Sequence, residues 1–126
     1  MQLNHPDIQE VLVTADQIKV RVAELAKEIS EHYQDKNVLL LGILKGAVPF
    51  MADLSRAMSI PIQQDWMAVS SYGSGTVSSG VVRILKDLDT DIKDRNVLIV
   101  EDIIDSGLTL SWLTSNLKAR GAASVE

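Results

Sequence analysis

The chain contains no cysteine. A disulfide framework, a thiol nucleophile and a zinc-thiolate site are therefore excluded. Positive charge is in the minority: 12 Lys and Arg face 17 Asp and Glu, a net charge of −5. That balance argues against broad binding to nucleic acid or to an anionic membrane. No apolar run is long enough to span a bilayer, and Met1-Gln2-Leu3-Asn4-His5-Pro6 does not read as a signal peptide. A soluble, cytoplasmic protein is the expectation. There is no internal repeat and no long low-complexity segment. What is present is ordinary for one globular domain: 126 residues, 46% hydrophobic and 23% charged.

The most informative stretch runs from Val97 to Leu110. Val97-Leu98-Ile99-Val100 is apolar and mostly β-branched, so it reads as a short buried strand. Glu101 and Asp102 follow at its carboxyl end, with a third acid at Asp105. Ser106-Gly107 supply a turn, and Thr109 stands where a helix begins. Leu110, Leu113 and Leu117 recur at spacings of three and four, which predicts a helix with one apolar face. The N–H groups and dipole of a helix start favour an anion. Gly107 lets backbone approach a phosphate, and the Ser106 and Thr109 hydroxyls can donate to one. The carboxylates would repel a bare phosphate, so they suit sugar hydroxyls or a hard divalent cation instead. Together these features fit a sugar phosphate with Mg²⁺ nearby. The stretch lacks the Lys and glycine spacing of a Walker loop, and it lacks G-x-G-x-x-G. The plain alternative is a strand-to-helix turn with solvated acids.

Along the rest of the chain, Ile8 to Val13 predicts a short edge strand. Thr14 with Gln17 predicts a capping box. A helix follows with Ile18, Val22, Leu25, Ala26, Ile29 and Tyr33 on its inner face and alternating charges outside. His32, near its end, reads as a capping or surface histidine. Val38 to Leu44 is apolar throughout, as in a central parallel strand buried on both faces. Lys45-Gly46 stand at its carboxyl end, where ligands of open α/β sheets bind. Ala47 to Met58 predicts a helix that tolerates Pro49 in its first turn. A strand from about Ile62 to Val69 leads into a Ser- and Gly-rich stretch, residues 70–80, and Val81 to Asp87 predicts the return strand. A loop of that length is either a long hairpin connection or a lid. Lys118 and Arg120 suit a helix carboxyl end, Gly121 its C′ position, and Ala122 to Glu126 begin another strand.

Glu101-Asp102-Ile103-Ile104-Asp105-Ser106-Gly107-Leu108-Thr109 resembles the phosphoribosyl-diphosphate (PRPP) signature of the type I phosphoribosyltransferases, in its hypoxanthine-guanine form. Leu44-Lys45-Gly46-Ala47 resembles the pyrophosphate loop of that family, and Ser71-Tyr72 match the pair in its mobile loop. The resemblance covers nearly the whole chain. It implies an α/β fold, a mostly parallel sheet with helices on both faces, plus a flexible antiparallel flap. It implies transfer of a phosphoribosyl group from PRPP to a 6-oxopurine, with release of pyrophosphate and with Mg²⁺ as cofactor. By the same resemblance, Asp105 is the catalytic acid–base group beside purine N7. Asp105, Ser106, Gly107, Leu108 and Thr109 hold the 5′-phosphate. Glu101 and Asp102 contact ribose hydroxyls and the metal. Lys45 and Gly46 hold pyrophosphate, with a cis peptide bond expected between Leu44 and Lys45, and Ser71 and Tyr72 form the lid.

Family members carry further strands beyond the signature, where a base-reading lysine, a stacking aromatic and another metal-binding acid reside. The expectation is therefore a single phosphoribosyltransferase-like domain over residues 1–126 that lacks the C-terminal base-recognition segment. The family also implies a homodimer or homotetramer. A PRPP-sensing module without transfer chemistry is the alternative.

Overall fold

Thr14 opens the first helix. Its Oγ1 accepts from the Gln17 N–H at 3.1 Å, and the Gln17 side chain accepts from the Thr14 N–H at 2.8 Å. This is the expected capping box, and α1 follows as Ala15–His32. The computed structural model describes residues 5–72, 81–104 and 107–126, of which 71, 72 and 81 by backbone alone. The remaining elements are β1 (Val38–Ile43), α2 (Val48–Ala57), β2 (Ile62–Tyr72), β3 (Val81–Lys86), β4 (Asn96–Val100), α3 (Leu108–Ala119) and β5 (Ser124–Val125).

The strands form one sheet in the order β3-β2-β1-β4-β5. β1 lies at its centre, parallel to β2 on one side and to β4 on the other, and every residue of β1 is buried. That is why Val38 to Ile43 read as an unbroken apolar run. β5 adds parallel to β4. β2 serves two partners: Ile62–Met67 pair with β1, then Ala68–Tyr72 pair antiparallel with β3, with a register shift at Ala68/Val69. The antiparallel pair is the predicted flap. β2 extends to Tyr72, so Ser70 to Tyr72 lie in a strand and not in the loop expected there. Residues 73–80 of that loop lie outside the described residues.

Two cores flank the sheet. On one face Val22, Ala26 and Tyr33 of the α1 region and Met51 and Leu54 of α2 pack on Val38, Leu40 and Val100. On the other, Leu113 and Leu117 of α3 pack on Leu39, Leu41, Ile43, Met67 and Val97. Each fully buried side chain of this size contributes roughly 1.5–3 kcal/mol. Gly42 stays bare because a Cβ there would run into the Trp66 ring and lie 3.0 Å from Met51 Cε. Gly121 ends α3 in the left-handed region at φ 89°, as its predicted C′ role requires.

Two expectations are corrected. Residues 8–13 form no strand: the sheet edges are β3 and β5, and neither pairs with this segment. Without a ladder partner an apolar run stays irregular, and Leu12 is 82% exposed. Ile18, placed on the inner face of α1, is 50% exposed, because it borders an open groove between α1 and α2. His32 is a surface residue, as read, with Nε2 at 3.1 Å from Glu126 Oε1.

One buried acid carried no signal in the sequence. Asp65, on β2, is 4% exposed. Its carboxylate accepts from the N–H groups of Trp66 (2.7 Å), Asp89 (3.0 Å) and Thr90 (2.9 Å). Burial pushes its pKa up, but these donors outweigh burial and hold it below the ordinary aspartate value. Asp65 thereby fastens the β3–β4 connection to the sheet.

Candidate functional site

The chain leaves β1 through α2 to reach β2, and leaves β4 through α3 to reach β5. The two crossovers pack on opposite faces of the sheet, so the carboxyl ends of β1 and β4 form a topological switch point. Such a switch point is where open α/β sheets hold ligands.

At the β1 end the turn is tight. The Leu44 N–H donates to Met67 O at 2.9 Å, and the Leu44–Lys45 peptide bond is cis, as expected. Ala47 is fully buried and anchors the turn, while Lys45 and Gly46 are exposed. At the β4 end the side chains of the two acids fold onto the following backbone: Glu101 Oε1 accepts from the Asp102 N–H, and Asp102 Oδ1 from the Ile103 N–H, both at 2.9 Å. Burial and the Asp102 carboxyl beside it push Glu101 up to about 7. The Glu101 side chain in turn holds Asp102 below its ordinary value.

The two loops meet. A Cβ built on Gly46 would lie 2.9 Å from the Asp102 carboxyl carbon and closer still to its Oδ2. Gly46 is thus a glycine because the acidic loop passes against its backbone. Gly107 then takes φ 81°, the left-handed region, and starts α3 without a side-chain cap. A Cβ there would meet nothing within 4 Å, so Gly107 is required by its backbone and not by crowding. Leu108 and Thr109 occupy the first turn of α3.

The structure therefore brings Lys45, Gly46, Glu101 and Asp102 together at the carboxyl ends of β1 and β4, with Gly107, Leu108 and Thr109 following in the same loop–helix unit. Ser71 and Tyr72 sit at the end of β2, paired with Val82 and Val81. Asp105 and Ser106 lie outside the described residues. Among the described residues no three acids or histidines converge as a ready-made metal cage. Ile103 and Ile104, not among the predicted site residues, are 76% and 64% exposed. Two apolar residues set between acids in a loop were the available signal.

The β1–α2 and β4–α3 loops meet at the switch point of an α/β sheet, the place where such sheets hold ligands. The model of the phosphoribosyl transferase domain matches residues 9–126, and the chain belongs to that family. It is 60% identical over 120 residues to the hypoxanthine-guanine phosphoribosyltransferase of Mycobacterium avium, a match that covers 90% of this chain and 59% of that protein. Its identity to the enzyme of the same name from Bacillus subtilis is 51% over 120 residues, covering 95% and 67%. Among solved structures, a hypoxanthine phosphoribosyltransferase from Staphylococcus aureus superimposes with a TM-score of 0.94 at 40% identity, over 99% of this chain and 70% of that one. The chain thus spans roughly three fifths to two thirds of its curated relatives' length.

Proposed function

We propose that the protein transfers the 5-phosphoribosyl group of PRPP to a 6-oxopurine, hypoxanthine or guanine, giving IMP or GMP and pyrophosphate. The observation that supports this most is the contact of Gly46 with Asp102, which sets a pyrophosphate-type loop against a ribose-type acidic loop. Lys45 and the Gly46 backbone hold pyrophosphate as it departs. Glu101 and Asp102 take the ribose hydroxyls. Gly107, Leu108 and Thr109, with Asp105 and Ser106, cradle the 5′-phosphate at the start of α3. Asp105, assigned from its place in the motif, stands against purine N7, accepts its proton and offsets positive charge at the anomeric carbon. Exposed Ile103 and Ile104 offer the flat base an apolar wall. Ser71 and Tyr72 close over the site and keep water from the cationic sugar.

Magnesium fits the donor set. Burial and the adjacent Asp102 carboxyl push Glu101 to about 7, so the pair gains from a cation beside it. Mg²⁺ is held by one or two carboxylates together with substrate oxygens and waters. When bound it offsets the charge of the leaving pyrophosphate. In this reading residues 1–126 form one transferase domain. A homodimer or homotetramer in the cytoplasm is the accompanying assignment. Among the described residues no helix is long and apolar enough to cross a membrane.

The test is IMP formation by the full-length protein, alongside calorimetry with PRPP and Mg²⁺ against ribose 5-phosphate. PRPP binding without IMP or GMP formation would make the protein a sensor. Equal affinity for both sugars would remove the assignment of Lys45-Gly46 to pyrophosphate.

A further inference from the structure

The opposite, amino-terminal edge of the sheet carries a pocket that the proposed transfer does not use. It holds about 370 Å³ and is lined by Asn37, Val38, Pro61, Ile62, Gln63 and Arg95. Strand register creates it. Val38 pairs with Ile62 on one side and with Asn96 on the other, so β1, β2 and β4 begin level with one another. Arg95 immediately precedes β4, and its backbone is fixed: its N–H donates to Ile92 O at 3.0 Å, and its carbonyl accepts from Ala123 at 2.8 Å.

Its side chain has no such anchor. Arg21, Arg56 and Arg120 each pair with a carboxylate. Among the described residues Arg95 pairs with none, and its Nε is buried without an acceptor. No acid lines the pocket, although the chain carries 17 acids against 12 basic residues. A half-buried cation without a counter-charge is costly, and the planar fork of a guanidinium matches an oxyanion in two-pronged geometry. Asn37 and Gln63 add carboxamide N–H donors at the rim, and Val38, Pro61 and Ile62 give an apolar wall.

We propose that this pocket binds a small oxyanion, a carboxylate or phosphate group, with Arg95 as its charge partner and Asn37 and Gln63 as hydrogen-bond donors. The site lies at the far ends of the strands that carry Lys45-Gly46 and Glu101-Asp102 and is independent of the transfer reaction.

The test uses the ¹⁵N-labelled full-length protein, titrated at constant ionic strength with inorganic phosphate and, separately, with malonate. The reporters are the Asn37 and Gln63 side-chain amides and Arg95 Nε–H. Saturable shifts at all three are expected. Arg95→Gln lowers the affinity by about ten- to a hundredfold, the share of a charge-assisted hydrogen bond. Gln63→Glu places a carboxylate on the exposed rim. It weakens binding in the same direction while leaving the amide spectrum elsewhere unchanged, which separates loss of the site from loss of the fold. Shifts that rise linearly with anion, phosphate shifts confined to the start of α3, or unchanged affinity in either variant would overturn the proposal.

Discussion

Asp65 and the Glu101–Asp102 pair are acids on neighbouring regions of one sheet, in opposite circumstances. Asp65 is buried, yet three backbone N–H groups converge on its two oxygens and keep it ionised. Glu101 and Asp102 stand at a strand end and bond to the backbone that follows them and to each other, and burial together with the Asp102 carboxyl presses Glu101 toward the protonated form. Among the described residues the fold gives the first acid three backbone donors and each member of the second pair one. An acid satisfied by backbone holds the structure together, whereas an acid left unsatisfied at a switch point waits for a ligand. Substitutions on the two sides should accordingly separate activity from stability.

The largest separation is expected at Asp105, in the unsatisfied loop. Asp105→Asn should lower kcat by roughly 10²–10⁴, the usual share of acid–base catalysis, with PRPP affinity preserved. Turnover of IMP at the wild-type rate would remove the base role. Next comes Gly46→Ala. The added methyl would collide with the Asp102 carboxylate, the free end of an exposed side chain that can swing aside at little cost in stability. Displacing that carboxylate should cost about 10²-fold in kcat/KM, as small misplacements of positioning groups do. The melting temperature should hardly move. A large drop in melting temperature with retained activity would mean that the Gly46–Asp102 contact serves packing.

These assignments were legible in the sequence to differing degrees. Local chemistry was plain: the Thr14/Gln17 capping box, the buried β1 run, and the turn at Gly107 all follow from neighbours in the chain. The cis bond before Lys45 was expected through family resemblance, as are the roles proposed for Glu101 to Thr109, since spacing alone leaves a strand-end Lys-Gly as a simple turn. Residues 8–13 misled because β-branched residues such as Ile8, Val11 and Val13 report strand propensity and say nothing about whether a sheet edge is there to receive them. The contact of Gly46 with Asp102 spans more than fifty positions of sequence and exists only through the β1–β4 pairing. Asp65 was invisible for the same reason. Its donors at Asp89 and Thr90 arrive from a turn 24 and 25 positions further along the chain.

Asp65 is the site of the third prediction. Asp65→Ala leaves three N–H groups without their acceptor, and water can reach those of the exposed Asp89 and the half-buried Thr90. The expected loss is about 2 kcal/mol of stability, within the cost of unpaired buried donors, with KM for PRPP unchanged. The loss should depend on pH. The folded pKa of Asp65 lies below the ordinary 3.8, so its contribution is complete above that value and disappears as pH falls through the folded value. Denaturation curves of wild type and variant should therefore converge in acid. Curves that stay parallel would mean that the ionised carboxylate is not what the donors hold.

Asp87 tests the comparison from between its two poles. It lies at the end of β3 and accepts two bonds from Arg120, at 2.8 and 3.1 Å. The Arg120 guanidinium holds its carboxyl below the usual range. The pairing matches Asp65 in completeness, but the side chains are 31% and 49% exposed, so water and salt share the charge. Arg120→Ala should cost only about 0.5–1 kcal/mol. Most of that difference should vanish near 1 M salt, where the screening length falls to about 3 Å. A salt-independent loss would show that Arg120 acts through the packing of its stem at the end of α3. In that case burial, more than completed hydrogen bonding, would decide which acids this fold depends on.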